Sequence, residues 1–220
     1  QRSRAQVRAA LGVAAHEPLL LVTPGGGEDG YRLVAHTLEG LAGVPAQRRP
    51  RTHIVCGPEM PEAQRAAIER AAATLPQVSL QGFCDDMMSL IGAADVAVTM
   101  GGYNTVCELL GSGRRAVVVP RIEPGHEQLL RAQRMAAHGL LRMLHPAEAT
   151  PAALMAEVHA QFDALARHEP LPRLKSMHGL ERVAQSLRAL MGLDAIPAPA
   201  PRLPSRHYAA AAELRVAAPQ

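Results

Sequence analysis

The chain has 220 residues, 48% of them hydrophobic and 20% charged, which is the balance of an ordinary globular protein. Its net charge of +3 does not indicate nucleic-acid binding, because it has no tryptophan, 2% aromatic residues and no dense run of basic residues. No stretch approaches the ~20 apolar residues of a membrane span.

Short apolar runs alternate with longer helical stretches, the pattern of an α/β domain. The predicted strands, in chain order, are residues 19–23, 52–56, 78–82, 95–99, 116–119 and a short sixth at 140–144. The predicted helices are residues 4–12, 31–41, 61–75, 87–92, 104–110, 127–138, 152–166 and 180–191. This order predicts a Rossmann-like, doubly wound parallel sheet of about six strands with helices on both faces.

The composition changes after Leu193 to alternating alanine and proline, which cannot form a packed core. We therefore expect residues 1–194 to form one domain and residues 195–220 to be a flexible tail. The sequence begins with Gln1 instead of methionine, so we expect a piece of a longer protein. The three cysteines lack the spacing of a disulfide framework or a metal site, and we predict neither metal nor cofactor.

Ligands of doubly wound sheets bind at the carboxyl ends of the strands, which directs attention to the loops there. In the first loop, Gly25, Gly27 and Gly30 spell the dinucleotide fingerprint G-x-G-x-x-G. The acidic residue that should end the second strand is absent, since Glu59 comes late, so nicotinamide binding is disfavoured. The glycines still allow close approach of a ligand to backbone N–H groups, and we predict contacts from Gly26 and Gly27. The alternative is a glycine turn without a ligand.

The segment after the fourth strand is the most informative one. Gly101 and Gly102 follow the strand, and Asn104 and Thr105 stand where a helix begins. The free N–H groups and the dipole of a helix start favour an anion such as a diphosphate. Glu108, one turn further, could accept hydrogen bonds from sugar hydroxyls. The alternative is that Asn104 and Thr105 cap the helix and that Glu108 is a surface acid.

This segment resembles the donor-site motif of the GT-B glycosyltransferases, especially MurG and its relatives, the family 28 C-terminal domains. It is also similar to the His-Cys-Gly-Trp-Asn-Ser-x-x-Glu motif of the plant-type UDP-sugar transferases. The residues that match Gly, Trp, Asn, Ser and Glu of that motif are Gly102, Tyr103, Asn104, Thr105 and Glu108. The resemblance implies that the helix start holds the diphosphate and that Glu108 binds the ribose. Met100 replaces the phosphate-contacting His of the plant-type motif, which favours the MurG-like branch.

A second match lies after the fifth strand. The related families place a proline there and then Asp-Gln or Gln-Gln, whose side chains bind the donor sugar. Pro120, Glu127 and Gln128 stand at the matching positions. An acid beside an amide offers acceptors and a donor to adjacent hydroxyls. The alternative for Glu127 is a favourable charge in the first turn of a helix.

The third element is the loop after the third strand, which in these families presents backbone groups to the nucleotide base. The resemblance places Phe83 there, with its N–H, its carbonyl and its ring. The alternative is that Phe83 belongs to the core. Asp85 or Asp86 is predicted to cap the following helix.

The resemblance covers residues 4–192 and identifies the chain as the nucleotide-sugar-binding, C-terminal half of a GT-B fold. It implies an inverting, metal-independent transferase that moves a hexosyl group from a UDP-sugar. The N-terminal domain, which would bind the acceptor and supply the catalytic base, lies outside the chain, so this piece alone is expected to be inactive. We expect a bacterial, cytoplasmic protein whose membrane contact, at the inner face, runs through that other domain.

Two other functions remain open at this point. A nucleotide-sugar epimerase or hydrolase shares the fold and similar donor contacts. A non-catalytic module could keep the nucleotide-sugar site as a sensor. The presence of Glu108, Glu127 and Gln128 argues against a degenerate site.

Overall fold

A computed structural model describes residues 1–172 and 179–192. The strands are β1 (Leu19–Thr23), β2 (Arg51–Val55), β3 (Val78–Gln81), β4 (Val96–Thr99), β5 (Arg115–Val118) and β6 (Arg142–Met143). The helices of the same unit are α1 (Arg4–Ala10), α2 (Tyr31–Ala42), α3 (Glu62–Ala72), α4 (Met87–Ala93), α5 (Tyr103–Ser112), α6 (Glu127–Ala137) and α7 (Pro151–Ala166). Helix α8 (Gly179–Leu190) belongs to a second unit. The predicted tail, residues 195–220, lies outside the described residues.

Within the described residues, all six strands form one parallel sheet in the order β3-β2-β1-β4-β5-β6. Leu20 of β1 pairs with Thr52 on one side and with Val96 on the other. The chain therefore builds outward from β1 in one direction and then returns to β4 to build in the other. This order confirms the predicted doubly wound fold and places its switch point between β1 and β4.

The central strands β1, β4 and β5 are buried along both faces, as parallel sheets require. All five residues of β1 are buried. Leu20 and Val22 pack into one core with α2, α3 and α7, whereas Leu19 and Leu21 pack into a second core with α1, α4 and α5. The predicted helices on both faces are therefore confirmed.

Side-chain caps set the starts of α1, α4 and α7. Asp86 caps α4 by accepting from the Ser89 N–H, as predicted. The Thr150 side chain accepts from Ala153 N–H, and Pro151 occupies the first position of α7. β5 begins one residue earlier than predicted, because the buried Arg115 already pairs with Val96.

Candidate functional site

The loops at the carboxyl ends of β1, β2, β4 and β5 border a cavity of about 230 Å³. Four of the predicted site residues line it, namely Gly26, Gly27, Gly102 and Gln128. The remaining predicted residues lie outside this lining, on α5, on the loop after β3 and at the start of α6: Phe83, Tyr103, Asn104, Thr105, Glu108 and Glu127.

The glycine loop after β1 packs directly against the loop after β2. Gly27 has a φ of +103°, and a Cβ there would lie 2.5 Å from the Cys56 carbonyl oxygen. The Glu59 N–H donates to the Gly26 carbonyl at 2.8 Å. Close backbone packing therefore explains why position 27 is a glycine. Gly26 and Gly27 also line the cavity.

Three carboxylates line the same cavity, those of Glu28, Asp29 and Glu59. The cation in this lining is Arg121, whose Nη1 donates to Asp29 Oδ2 at 2.7 Å. The cavity is therefore rich in hydrogen-bond acceptors and net negative, which suits hydroxyl groups better than phosphate.

Helix α5 begins beside this cavity without a side-chain cap. Its N-cap residue is Gly102, and Asn104 and Thr105 lie inside the first turn. Val106 is the first residue whose N–H has a partner in the helix, the Gly102 carbonyl at 3.0 Å. The capping interpretation of Asn104 and Thr105 is therefore wrong. The first-turn N–H groups have no acceptor within the helix and can receive an anion.

Glu108 lies further along α5 and is partly buried. No described residue forms an ion pair or hydrogen bond with its carboxylate. Burial raises the pKa of this carboxyl group above its ordinary value. A partly desolvated acceptor without a partner is costly, and hydroxyl donors from a ligand would satisfy it.

Phe83 is 60% exposed on the loop after β3, so the alternative that places it in the core is wrong. Its carbonyl accepts from Gln81 Nε2 at 2.7 Å. Gln81 Oε1 in turn lies 3.1 Å from His53 Nε2, and His53 Nδ1 lies 2.9 Å from Ser79 Oγ. Burial lowers the pKa of His53, so a neutral ring donates from Nε2 and accepts from Ser79. A chain of side chains on β2 and β3 thus fixes the Phe83 carbonyl.

Arg131 of α6 is a site residue that the sequence patterns did not reveal. Its Nη1 donates to the Gly101 carbonyl at 2.9 Å, and its Nη2 donates to Glu127 Oε1 at 2.7 Å. Its guanidinium carbon lies 5.4 Å from the centre of the Tyr103 ring. One guanidinium therefore joins Glu127 to the glycine turn that begins α5. The spacing of Glu127 and Arg131 predicts their ion pair, but not the contact with Gly101.

Gln128 faces the cavity with its amide partly engaged. Its Oε1 accepts from the Arg121 backbone N–H at 3.1 Å, which leaves the amide N–H groups available to a ligand. Arg121 Nε is buried without an acceptor in the described chain. Arg121, Asp29 and Met100 also border a neighbouring cavity of about 360 Å³. Arg121 and Asp29 are thus further site residues that sequence reasoning missed.

Among the described residues, no group of three His, Cys, Asp or Glu side chains is placed to hold a metal ion. No described helix is long and apolar enough to cross a membrane.

The fold is that of the GT-B glycosyltransferases. MurG of Acinetobacter baumannii superposes with a TM-score of 0.59 at 22% identity, over 86% of this chain and 53% of that one. The calicheamicin glycosyltransferase CalG4 superposes with a TM-score of 0.58 at 22% identity, over 80% of this chain and 44% of that one.

Residues 20–185 match the family model of the glycosyltransferase family 28 C-terminal domain. The chain belongs to this family, which confirms the resemblance inferred from the motifs. Among its relatives are two bacterial proteins named UDP-N-acetylglucosamine–N-acetylmuramyl-(pentapeptide) pyrophosphoryl-undecaprenol N-acetylglucosamine transferase. The one from Methylobacterium sp. (strain 4-46) is 30% identical over 204 residues, which are 87% of this chain and 54% of that protein. The one from Haemophilus influenzae (strain PittEE) is 30% identical over 139 residues, 63% of this chain and 38% of that protein. The chain thus spans about half the length of the Methylobacterium protein and 38% of the length of the Haemophilus influenzae protein.

Proposed function

We propose that this chain is the donor-binding half of an inverting, metal-independent glycosyltransferase that transfers a hexosyl group from a UDP-sugar. The observation that carries the proposal is the uncapped start of α5, with Gly102 at the N-cap beside an acceptor-rich cavity. Membership of family 28 gives this geometry its interpretation.

The diphosphate would lie at the start of α5. The N–H groups of Tyr103, Asn104 and Thr105 are oriented there before any ligand arrives, and the helix dipole adds a positive potential. When the glycosidic bond breaks, negative charge grows on the departing diphosphate, and donors of this kind stabilise it. Each such donor contributes about 3–4 kcal/mol in enzymes where one has been removed.

The hexose would lie in the cavity of about 230 Å³. Its acidic lining disfavours phosphate and accepts hydroxyl protons, and the Gln128 amide offers donors to the sugar oxygens. Glu127, fixed by Arg131, would accept from a further hydroxyl. Gly26 and Gly27 would border the sugar with their backbone.

The nucleoside would extend from α5 toward the loop after β3. The unpaired carboxylate of Glu108 suits the two ribose hydroxyls, and the exposed ring and N–H of Phe83 suit the base. Uracil is the base we propose, because the relatives are named for a UDP-sugar donor.

The acceptor-binding site and the catalytic base would come from an N-terminal domain outside this chain, since the chain spans only about half of its Methylobacterium relative. We propose that the whole protein is cytoplasmic or peripheral to the inner face of the membrane, with that domain making any membrane contact. The isolated chain should therefore bind donor without transferring it.

Calorimetric titration with UDP, GDP and dTDP, and then with the sugar conjugates of whichever binds, tests the proposal. We expect UDP to bind and one conjugate to bind more tightly. Glu39→Ala, on the exposed side of α2, removes a charge away from the site and is the matched control for Glu108→Ala, which removes the proposed ribose contact. A folded chain that binds none of these ligands would contradict a donor site within this half.

A further inference from the structure

A second cluster of polar groups lies at the opposite edge of the sheet from the donor loops. There a cavity of about 200 Å³ opens at the amino ends of β4 and β5. Asp95 precedes β4, and Arg114 and Arg115 lie at the start of β5. All three border this cavity, together with Glu169, which follows α7.

Arg115 is a buried cation with neutral partners. Its side chain belongs to a residue that is 8% exposed. Its Nη1 donates to Gln161 Oε1 at 3.4 Å, and its Nη2 donates to the Glu169 main-chain carbonyl. No carboxylate within the described chain forms an ion pair with it. A buried charge without a counter-ion is unfavourable, so this site lacks a negative partner.

Arg114 beside it is also incompletely satisfied. Its Nε is buried and has no hydrogen-bond acceptor among the described residues. Burial lowers the pKa of its guanidinium, and the charges of Arg4 and Arg8 lower it further, against the opposing effect of Asp95. Buried N–H donors are nearly always paired in native proteins, so an acceptor is expected here.

The acids at this edge are already engaged. Asp95 accepts from both Arg4 and Arg8, and it also accepts from the Leu19 N–H at 2.8 Å. The Glu169 carboxylate pairs with Arg167 at 2.8 Å. The two arginines and two acids that line this cavity balance in formal charge, but both acids already pair with arginines outside the lining, which leaves Arg114 and Arg115 without a carboxylate partner.

We propose that this cavity is a binding site for a phosphate-class oxyanion, held by the guanidinium groups of Arg114 and Arg115. Planar guanidinium groups match the paired oxygens of phosphate, and the anion would neutralise the buried cation. A cavity of about 200 Å³ is smaller than a typical drug-sized ligand pocket, so phosphate itself or a phosphate headgroup is the fitting chemistry. The site is independent of the donor site.

Nitrogen-15 NMR of the arginine Nε–H groups in the full chain tests this site locally. Titration with inorganic phosphate should shift the Arg114 and Arg115 signals along a saturable curve, whereas chloride at equal ionic strength should not. Arg134, exposed on α6, is the internal control. Arg114 and Arg115 signals that respond equally to phosphate and chloride would overturn the proposal.

Thermal unfolding supplies the second test, with Arg114→Gln compared with wild type and with Arg134→Gln. Phosphate bound at α5 would raise the Tm of all three proteins alike. We expect the phosphate-dependent rise to be smaller in R114Q and unchanged in R134Q. Equal rises in all three proteins would refute the site.

Vesicles of phosphatidylcholine with and without phosphatidic acid separate the two sources of the anion. Arg114-dependent sedimentation with the acidic vesicles would assign a lipid headgroup. A phosphate response without such sedimentation would assign a free phosphate.

Discussion

The two edges of the sheet use polar residues in opposite ways. At the carboxyl edge, α5 starts without a cap, Glu108 has no described partner and Phe83 is exposed. At the amino edge, Arg8 is 3% exposed and donates to the carbonyls of Ala14, Glu17 and Ala93 as well as to Asp95. Some polar groups at the carboxyl edge thus have no described protein partner, whereas Arg8 and Asp95 at the amino edge connect protein segments.

This division follows from the parallel sheet. Every strand begins at the amino edge, where Arg4 and Arg8 of α1 donate to the Ala93 carbonyl just before β4. Every strand ends at the carboxyl edge, where loops can vary without disturbing the core. Substitutions at the amino edge should therefore change stability, and those at the carboxyl edge should change binding.

The largest expected effect is the loss of stability in Asp95→Asn. Asp95 accepts from Arg4, Arg8 and the Leu19 N–H, so the change leaves the buried guanidinium of Arg8 and the part-exposed one of Arg4 without their shared counter-ion. Breaking such an ion network costs about 3–5 kcal/mol, measured by urea unfolding. Asp85→Asn, at an exposed position, is the matched control. A cost below about 1 kcal/mol would contradict the structural role of this edge.

At the carboxyl edge, the largest expected effect is the loss of UDP affinity in Glu108→Ala. Losing hydrogen bonds between ribose hydroxyls and a charged acceptor should weaken UDP affinity about 10–100-fold, since such bonds contribute about 1.5–3 kcal/mol. Stability to urea should stay near that of wild type, because no described residue pairs with this carboxylate. Unchanged UDP affinity by calorimetry would exclude the ribose contact.

Arg131→Met should cause a smaller loss of affinity, which involves the contacts to both the sugar and the diphosphate. The variant releases Glu127 and also the Gly101 carbonyl, so affinity for a UDP-sugar should fall about 5–30-fold, at about 1 kcal/mol for each bond. Glu127→Gln should reduce only the added affinity that the sugar brings.

A double-mutant cycle distinguishes this role from general disruption. If Arg131 positions Glu127, the double variant should lose no more of the sugar-dependent affinity than either single variant. Arg134→Met, one turn away and exposed, should behave as wild type. Fully additive losses would show that the two residues act separately.

Gln81→Glu should give a few-fold loss that depends on the base. The change is isosteric and keeps the acceptor for His53, but it replaces the donor to the Phe83 carbonyl with an oxygen that repels it. UDP affinity should fall while affinity for inorganic pyrophosphate stays unchanged. Equal losses for both ligands would mean that Gln81 does not act through the base.

The sequence predicted the fold because apolar strands and capped helices are local signals, as at residues 19–23 and Asp86. It also located the uncapped turn at Gly102, since a helix start after a strand is visible in the chain. It missed Arg131 and Arg121 because their contacts cross 30 and 92 residues of chain, to Gly101 and Asp29. Contacts of that range depend on how loops meet, which no local pattern contains.

The smallest expected effect is a change in how the free energy of unfolding depends on pH when Glu108 is replaced. Burial raises the pKa of Glu108 in the folded state above the value of 4.5 that the unfolded chain would have. The folded protein therefore holds this proton more tightly, and the resulting stability is present below pH 4.5 and is lost as pH rises through the folded pKa. Glu108→Gln should match wild type near pH 3 and exceed it at pH 7 by less than about 1 kcal/mol, because solvent screens the part-exposed group. Urea unfolding at both pH values measures the difference.

A variant less stable than wild type at pH 7 would mean that the carboxylate already has a partner in the free protein. The carboxylate of Asp95 joins α1 to the start of β1, whereas that of Glu108 has no described partner, and a measured cost in stability at pH 7 is the sign expected of a group retained for a ligand.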